Sequence, residues 1–457
     1  MSNVFSGNLP LILVSWIVVL AVLMIARQRK HTAGVGLVFA YVLNLWMIHW
    51  VASLMYVLPW YNGENPEYTT SGTEQSLYAV AAFAFGSVVL APFVIDSGIL
   101  PRSTGQHIPD PRLPRMYLLI GIVFYVLLST SLGRLPSVTA VISTGQSLAV
   151  VGLSLCCMQA WKDGDYNRFF LWLAVSFSLP FFTIITRGFI GYGAVATLSV
   201  LIFLSNFSRS RIAVIVIGVF LGYGALSVYV TYMRDRTEIR TSVWGGQSYS
   251  NRFSTLGQSA SGFEWFDPAN IEHLNRIDDR LNQSYLVGAA VAHLDQSQDF
   301  ARGETLVDAV LALIPRALWP DKPFSAGSGN LVSRYTGIYY NNEVTSVGIG
   351  SVMEFYINFG TTGVIIGFLI LGVLVTALDV LATERLVNGD LNGFVLYFLP
   401  GLSFLQVGGQ LVEVTAGAAG AIIVALGTNK YLQKMQAKAA AGGEEGDALA
   451  PPVHHGV

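Results

Sequence analysis

The run LPLILVSWIVVLAVLMIA, residues 9–26, is followed directly by Arg27, Arg29 and Lys30. About 20 apolar residues in helical form cross the roughly 30 Å hydrocarbon layer of a bilayer. A cleavable signal peptide carries its positive charge before the apolar run and small residues after it, and this run has the reverse order. The sequence therefore predicts an uncleaved first transmembrane helix with its N-terminus outside.

The rest of the chain has the composition of a membrane protein. Of 457 residues, 53% are apolar and 12% are charged, whereas soluble domains are about a quarter charged. A net charge of −2 gives no sign of a nucleic-acid partner. We predict an all-α polytopic membrane protein with about eleven transmembrane helices. The predicted spans are residues 9–26, 34–58, 75–95, 116–133, 138–160, 169–187, 188–206, 212–232, 350–381, 392–408 and 411–428.

The distribution of lysine and arginine predicts the orientation. With the N-terminus outside, the inner segments hold most of these residues, and the short outer segments hold only Arg134 and Arg187. Positive residues concentrate on the cytoplasmic side of membrane proteins. We therefore expect a multi-pass protein of a bacterial plasma (inner) membrane, with its N-terminus outside and its C-terminus in the cytoplasm. The inner cations are Arg27, Arg29, Lys30, Arg102, Arg112, Arg115, Lys162, Arg168, Arg209, Arg211, Arg385, Lys430, Lys434 and Lys438.

Four regions follow from this pattern. Residues 1–232 hold the first eight spans, 233–349 form one long external loop, 350–428 hold the last three spans, and 429–457 form a disordered cytoplasmic tail rich in alanine, glycine and proline. Within the loop, apolar residues recur at helical spacing over 280–298 and 303–319. These two segments are predicted amphipathic helices that lie along the membrane surface or pack onto the bundle.

The external loop is rich in arginine. Arg234 and Arg236 directly follow a predicted span, and Arg187 lies at the outer end of another. A guanidinium group binds phosphate in a planar, bidentate manner and keeps its proton. These arginines are therefore candidates for binding the phosphate of a lipid. The alternatives are that they anchor the chain at the interface, or that they pair with the acidic residues of the loop.

A second candidate is the segment IPRALWPDKP, residues 314–323. Its three prolines end the preceding helix and stiffen the chain. Arg316, Asp321 and Lys322 are thereby held beside Trp319, a residue typical of membrane interfaces. Preorganised charge at the membrane surface suits an anionic headgroup. The alternative is a helix stop with its own ion pair.

A third candidate is the segment SVGIGSVMEFYINFGTTG, residues 346–363. The continuous apolar span begins after Thr362, so Glu354 lies two helical turns, or about 10 Å, before it. A carboxylate among aromatic side chains is a candidate general base, because an apolar environment favours proton uptake. The alternative is that Glu354 pairs with one of the arginines.

Together these motifs resemble the Wzy-type polysaccharide polymerases, also called O-antigen or oligosaccharide repeat unit polymerases. The resemblance rests on GETL at 303–306, on IPRALWPDKP and on SVGIG…EFYINFGTTG, and the layout of many spans with a late external loop extends it. It implies a GT-C-like glycosyltransferase bundle that transfers a growing glycan from undecaprenyl diphosphate onto the next lipid-linked repeat unit. It also implies that Arg316 and Lys322, and more loosely Arg187, Arg234 and Arg236, bind the diphosphate.

The expected reaction is a displacement at the anomeric carbon, in which an acceptor hydroxyl attacks and undecaprenyl diphosphate leaves. Glu354 is the candidate base and Asp321 the second candidate, while arginines, Arg316 first, take the place of a metal. We expect no cofactor and no metal, because the single Asp-x-Asp, Asp163 to Asp165, lies in a short inner loop and fits a polar turn. Expected partners are undecaprenyl-diphosphate-linked oligosaccharides, the bilayer, and chain-length regulator and flippase proteins.

Three other functions stay open. An O-antigen ligase would use the same chemistry with a different acceptor. A polysaccharide or lipid transporter would need ionisable groups inside the membrane, for which the sequence offers Asp379 and Glu413, each near the end of a span. A structural component of an envelope assembly is the third alternative.

Overall fold

The computed structural model describes residues 8–29, 34–102, 105–128, 130, 136–207, 210–314, 319, 321–322, 325–339 and 347–448. This part is all-helical, with 79% helix and no strands. Its helices are α1 (Leu9–Arg29), α2 (Leu37–Met55), α3 (Pro66–Phe85), which continues through a π-helical turn (Gly86–Leu90) into α4 (Ala91–Asp96), α5 (Leu113–Leu128), α6 (Pro136–Gly145), α7 (Leu148–Lys162), α8 (Tyr166–Arg187), α9 (Gly191–Ser205), α10 (Arg211–Trp244), α11 (Tyr249–Ser261), α12 (Ile271–Leu281), α13 (Gln283–Ser297), α14 (Glu304–Leu311), α15 (Ser328–Thr336), α16 (Gly350–Val387), α17 (Leu391–Phe404) and α18 (Leu411–Ala448).

Within the residues that the structure describes, eight helical segments are long and apolar enough to cross a membrane. They are Leu9–Gln28, Leu37–Met55, Pro66–Asp96, Val141–Lys162, Tyr166–Arg187, Ile212–Trp244, Gly350–Val387 and Leu411–Gln436. The other three predicted spans coincide with shorter apolar helices, α5, α9 and α17. The prediction of a helical polytopic membrane protein is confirmed, and the number of about eleven spans stays a prediction.

Several helices are longer than the hydrocarbon layer requires. Helix α10 has 34 residues, which corresponds to about 51 Å at 1.5 Å per residue, against roughly 30 Å of hydrocarbon. Its first half is apolar and its last turns carry charge. Arg234 and Arg236 therefore lie on a helical extension of the span, where the sequence analysis placed the start of a loop.

Helix α16 is broken near its N-terminus. Phe359 (φ −144°, ψ 25°) and Gly360 (φ 61°, ψ −153°) leave the helical conformation. The backbone of Gly360 is in a region that residues with a Cβ rarely adopt. The break separates a short first segment, which contains Glu354, from the long apolar remainder. It coincides with the predicted start of the continuous apolar span.

Helices α11 to α15 lie at one end of the bundle, which we call the loop side. Helix α13 packs closely on the first turns of α3, where Asn282 Nδ2 donates to Thr69 Oγ1 at 3.0 Å. A Cβ on Gly72 would lie 1.8 Å from the carbonyl oxygen of Ser284, and one on Gly288 would lie 1.8 Å from that of Tyr68. The two backbones approach so closely that only glycine fits at both positions. The loop is therefore packed into the bundle and is not a separate domain.

Two predicted segments differ from the structure. The amphipathic helix predicted over 303–319 ends at Leu311 and is followed by a turn. Its apolar residues Val307 and Val310 are 58% and 63% exposed, which suits a helix lying on a membrane surface. The tail predicted to be disordered from residue 429 is helical as far as Ala448, because the stretch after Asn429 is rich in alanine, lysine and glutamine, which favour helix.

Candidate functional site

The loop side carries three arginines that we call the arginine face: Arg236 and Arg240 on α10, and Arg280 on α12. Arg236 and Arg240 are four residues apart, so they project from the same side of α10. The charges of Arg240 and Arg280 both act on Arg236. Arg236 is half-buried, and no carboxylate of the described residues forms an ion pair with Arg236 or Arg280, although the charge of Asp279 acts on Arg280. Three cations held together in this way favour the binding of an anion.

Arg240 also fixes the arginine face to the turn between α8 and α9. Its guanidinium lies over the ring of Phe189, 4.4 Å from the centroid, and its Nε donates to the carbonyl of Gly188 at 3.4 Å. The hydroxyl of Tyr232 donates to the same carbonyl at 2.8 Å. Gly188 ends α8 with φ 75°, a conformation that favours glycine. The structure thus places the end of α8 beside the arginine face.

Arg187, a predicted phosphate-binding residue, lies in this turn but is already engaged. Its Nη2 donates to Oε1 of Gln146 at 2.6 Å, and its guanidinium lies over the ring of Tyr125, 4.6 Å from the centroid. It forms no ion pair with a carboxylate of the described chain. Arg187 is therefore close to the arginine face in the fold but oriented by its own contacts.

Arg234, the second predicted phosphate-binding residue, is saturated by protein partners. It forms a bidentate ion pair with Asp235 at 2.8 and 2.6 Å, and its Nη1 donates to Glu264 at 2.8 Å. Glu264 also accepts from Arg276 at 2.8 Å and contacts His273 at 3.0 Å. Burial alone would raise the pKa of Glu264, but the hydrogen bonds that it accepts from Arg234, Arg276 and His273 lower the pKa to about 2. Arg234 is therefore a structural residue, as the alternative of pairing with acidic residues predicted.

A cleft lies on the other side of the α10 extension. It has a volume of about 580 Å³ and is lined by Arg234, Thr237, Glu238, Thr241 and other polar residues. Arg234 is paired, and both Asp235 and Glu238 line the cleft. The charge of the cleft lining therefore does not favour the binding of an anion. The arginine face is the better anion site.

The proline-rich segment is only partly described. Arg316 lies outside the described residues, so its predicted role stays a prediction. The ammonium of Lys322 donates to the carbonyls of Leu311 and Ile314, at 3.4 and 2.9 Å. Lys322 thus stabilises the C-terminal end of α14, where a cation is favoured. Asp321 is exposed beside it.

Glu354 is completely buried in the first segment of α16. Its Oε2 accepts from the backbone N–H of Leu411, the first residue of α18, at 2.6 Å. Its Oε1 has no hydrogen-bond partner in the described part of the chain. No arginine of the described residues forms an ion pair with it, and the alternative that Glu354 pairs with an arginine stays open for Arg316, which lies outside them. Glu354 therefore combines an anchor for the N-terminus of α18 with one unsatisfied oxygen, and it has no contact with solvent.

The two halves of the predicted motif region meet at this site. Asn358 Oδ1 accepts from the backbone N–H of Gly303 at 2.8 Å, and its Nδ2 donates to Thr305 Oγ1 and to the carbonyl of Glu354, both at 2.7 Å. The backbone N–H of Ala301 donates to the carbonyl of Ile357 at 2.8 Å. The GETL segment is thus bonded to the end of the segment that holds Glu354, directly before the break in α16.

Sequence reasoning included Arg240 and Arg280 only as members of the arginine-rich loop, without an individual role, and it gave no role to two ionisable residues inside candidate spans. The spacing of Arg236 and Arg240 was a usable signal, because no glycine or proline interrupts the chain between 225 and 244. His49 and Glu74 are buried in α2 and α3. His49 Nδ1 contacts Ser284 Oγ at 3.1 Å, and Glu74 accepts from Tyr78 at 2.7 Å.

The Asp-x-Asp segment, Asp163 to Asp165, forms the connection between α7 and α8. Asp163 and Asp165 flank the turn between α7 and α8, and Asp165 accepts from the backbone N–H of Arg168 at 3.0 Å. The prediction of a polar turn is therefore confirmed. Within the described ranges, no group of three or more His, Cys, Asp and Glu side chains is placed to hold a metal ion.

The fold is that of a polytopic α-helical membrane protein, and the arginine face is a candidate anion site at one end of its bundle. The chain belongs to the family described as Domain of unknown function (DUF8712), whose model matches residues 81–413. The matched range includes the loop, the arginine face and Glu354. This description assigns no activity, so the resemblance to polymerases stays a prediction. No curated protein and no solved structure matched the chain.

Proposed function

We propose that this protein is a membrane glycosyltransferase that polymerises undecaprenyl-diphosphate-linked oligosaccharide repeat units into a surface polysaccharide. The observation that carries the proposal is the half-buried Arg236, which lies beside Arg240 and Arg280 and forms no ion pair with a carboxylate of the described residues. A cation in this position has lost part of its hydration without gaining a protein counter-ion, so an anionic ligand stabilises it. A diphosphate provides two negative charges and several acceptor oxygens.

The location of the arginine face supports a substrate that is anchored in the membrane. Arg236 and Arg240 lie on the extension of a helix whose preceding turns are apolar enough to cross the bilayer. A phosphate at this level lies where the headgroup of a lipid lies. In the proposed reaction, the arginines bind and stabilise the leaving diphosphate while a carboxylate accepts the proton of the attacking hydroxyl. Glu354 and Asp321 are the proposed candidates for that carboxylate.

Deletion of the gene, followed by gel analysis of lipid-linked and surface glycans, tests the proposal. A polymerase is expected to leave single repeat units on the lipid and no long chains. Full-length chains that remain on undecaprenyl diphosphate would indicate the ligase instead, and unchanged glycans would refute both.

Complementation of the deletion strain then tests the residues. Arg236→Ala and Arg316→Ala are expected to abolish long chains at normal protein levels. The matched control is Arg334→Ala, because Arg334 is an exposed arginine of the same loop that pairs with Glu304 at 3.4 Å. Full-length chains made by the Arg236 variant would show that the arginine face does not bind the diphosphate.

A second candidate function is the transport of a lipid or polysaccharide. It is favoured by His49 and Glu74, which are buried within two candidate spans, since ionisable residues inside a membrane often mark a transport path. Substitution of either residue is expected to leave polymerisation intact if the polymerase proposal is right. Lipid-linked units trapped on the inner leaflet of the deletion strain would favour transport.

A further inference from the structure

Helix α10 is the least buried of the candidate spans. Only 6% of its most apolar window is buried, compared with 56% for α2 and 67% for the segment Val141–Lys162. Ile212, Val219 and Phe220 are 76%, 67% and 74% exposed. The contacts of α10 with α8, α11 and α12 involve mainly its loop-side half. Its first turns therefore present a long apolar surface that the described protein leaves uncovered.

One side of this helix leads directly to the arginine face. At 100° per residue, Gly218, Gly222, Ala225 and Tyr229 all lie within about 40° of Arg236 around the helix axis. No heavy atom of the described residues lies within 4 Å of where a Cβ on Gly218 or Gly222 would be. This side of α10 therefore has two halves. The half with Gly218, Gly222 and Ala225 is apolar and uncovered, and the half with Arg236 is cationic.

Tyr229 lies between the two halves. It is close enough to Arg236, Arg280 and Asp279 for their charges to act on it, and its hydroxyl has no hydrogen-bond partner among the described residues. Along one line the helix thus offers space for a hydrocarbon chain, then a free hydroxyl donor, then three guanidinium groups. The order of these groups along the helix is complementary to a molecule with a long apolar chain and an anionic head group.

We infer that this side of α10 binds one long-chain polyprenyl diphosphate, with its chain along Gly218, Gly222 and Ala225 and its diphosphate on Arg236, Arg240 and Arg280. The inference deepens the proposed function and rests on it for the identity of the lipid. Charge complementarity carries it, because ordinary bilayer lipids would also cover the apolar half but a zwitterionic or uncharged lipid would not neutralise the three arginines.

Photo-crosslinking of the full chain in liposomes tests the site. A benzophenone amino acid replaces Gly222 in one protein, and in a matched control it replaces Phe220. Phe220 lies at nearly the same depth but about 160° away from Arg236 around the helix. A radiolabelled long-chain polyprenyl diphosphate is the probe. Because the bulky group at Gly222 can disturb folding, a third protein carries it at Ala225, and all three are checked for monodisperse elution.

Labelling is expected at 222 and 225 and not at 220. Labelling is expected to fall on the order of tenfold when Arg236→Ala is added, because the substitution removes a single charge-assisted contact with the diphosphate. Unlabelled diphosphate should compete, whereas polyprenol and an anionic phospholipid should not. Three results would each overturn the inference. They are equal labelling from positions 222 and 220, labelling that does not depend on Arg236, and crosslinks to a second copy of the chain.

The outcome is separable from that of the proposed function. Arginine-dependent labelling together with unchanged glycans in the deletion strain would leave the lipid site standing and refute the polymerase. Loss of long chains in the deletion strain without side-specific labelling would leave the polymerase standing and refute this lipid site.

Discussion

Arg234 and Arg236 are two residues apart on α10, and we expect their replacement by alanine to affect different properties, stability for Arg234 and ligand binding for Arg236. Arg234 donates to Asp235 and Glu264 at 2.6 to 2.8 Å, whereas Arg236 has no ion pair in the described chain. Arg234→Ala should therefore weaken the fold of the loop side. Arg236→Ala should leave the fold intact and weaken the binding of a diphosphate.

The magnitudes follow from exposure. The side chain of Arg234 is 26% exposed. Breaking a buried ion pair costs about 3–5 kcal/mol and an exposed one contributes about 0.2–1 kcal/mol, so we expect a loss of about 2 kcal/mol for Arg234→Ala. For Arg236→Ala we expect a change within about 0.5 kcal/mol, because no ion pair within the described chain is lost and repulsion from Arg240 and Arg280 is relieved.

Two measurements on the purified protein check this pair. Thermal unfolding in detergent should show a lower midpoint for Arg234→Ala and an unchanged one for Arg236→Ala. Binding of a polyprenyl diphosphate should be about tenfold or more weaker for Arg236→Ala. If Arg236→Ala destabilises the protein as much as Arg234→Ala, or if it binds the lipid normally, the reasoning about the unpaired arginine is wrong.

Three further predictions concern carboxylates. Asp379→Asn should cost about 3–5 kcal/mol, because Asp379 is 1% exposed and pairs with Arg27 at 2.7 Å. Asp96→Asn is the control and should cost at most about 1 kcal/mol, because Asp96 is 72% exposed and pairs with Arg102 at 2.7 Å. Equal unfolding midpoints for the two variants would contradict this. Glu354→Gln should keep the fold, because the amide oxygen still accepts from the N–H at the start of α18, and should abolish polymer synthesis if Glu354 is the base. The pKa of Glu264 is lowered to about 2, so its stabilising effect is fully present above about pH 4.3 and is lost as the pH falls towards 2. The fluorescence of Trp265 should report this loss of stability. An identical change in Glu264→Gln would exclude Glu264 as its cause.

The helices were largely predictable because an apolar run is a local property of the chain. Each predicted span falls on helical structure, and the span over 138–160 is divided between α6 and α7. The errors concern where helices end: α3 begins at Pro66, well before the predicted 75, and α10 continues to Trp244. A hydropathy pattern marks where hydrocarbon ends, whereas helix continues for as long as propensity and packing allow.

The site was less predictable because it depends on pairing between distant residues. Glu264 lies 30 residues after Arg234, and Leu411 lies 57 residues after Glu354. Without the fold, every arginine next to a span is an equal candidate for a phosphate. The structure distinguishes two of them, because Arg234 forms ion pairs with Asp235 and Glu264, whereas Arg236 forms none in the described chain. The sequence could therefore propose the residue type and the region, and only the structure separates the two roles.

The proposed chemistry requires a base beside the diphosphate, and the two carboxylates satisfy this requirement differently. Glu354 is sealed and holds the start of α18, so it can act only if the segment before the break at Phe359 and Gly360 moves and uncovers it. Asp321 is already exposed on the loop side. If Glu354→Gln keeps its activity while Asp321→Asn loses it, then Glu354 is an anchor and the exposed residue is the base. The reverse result would mean that the break in α16 is a moving part of the catalytic cycle, because a base without access to its substrate cannot accept its proton.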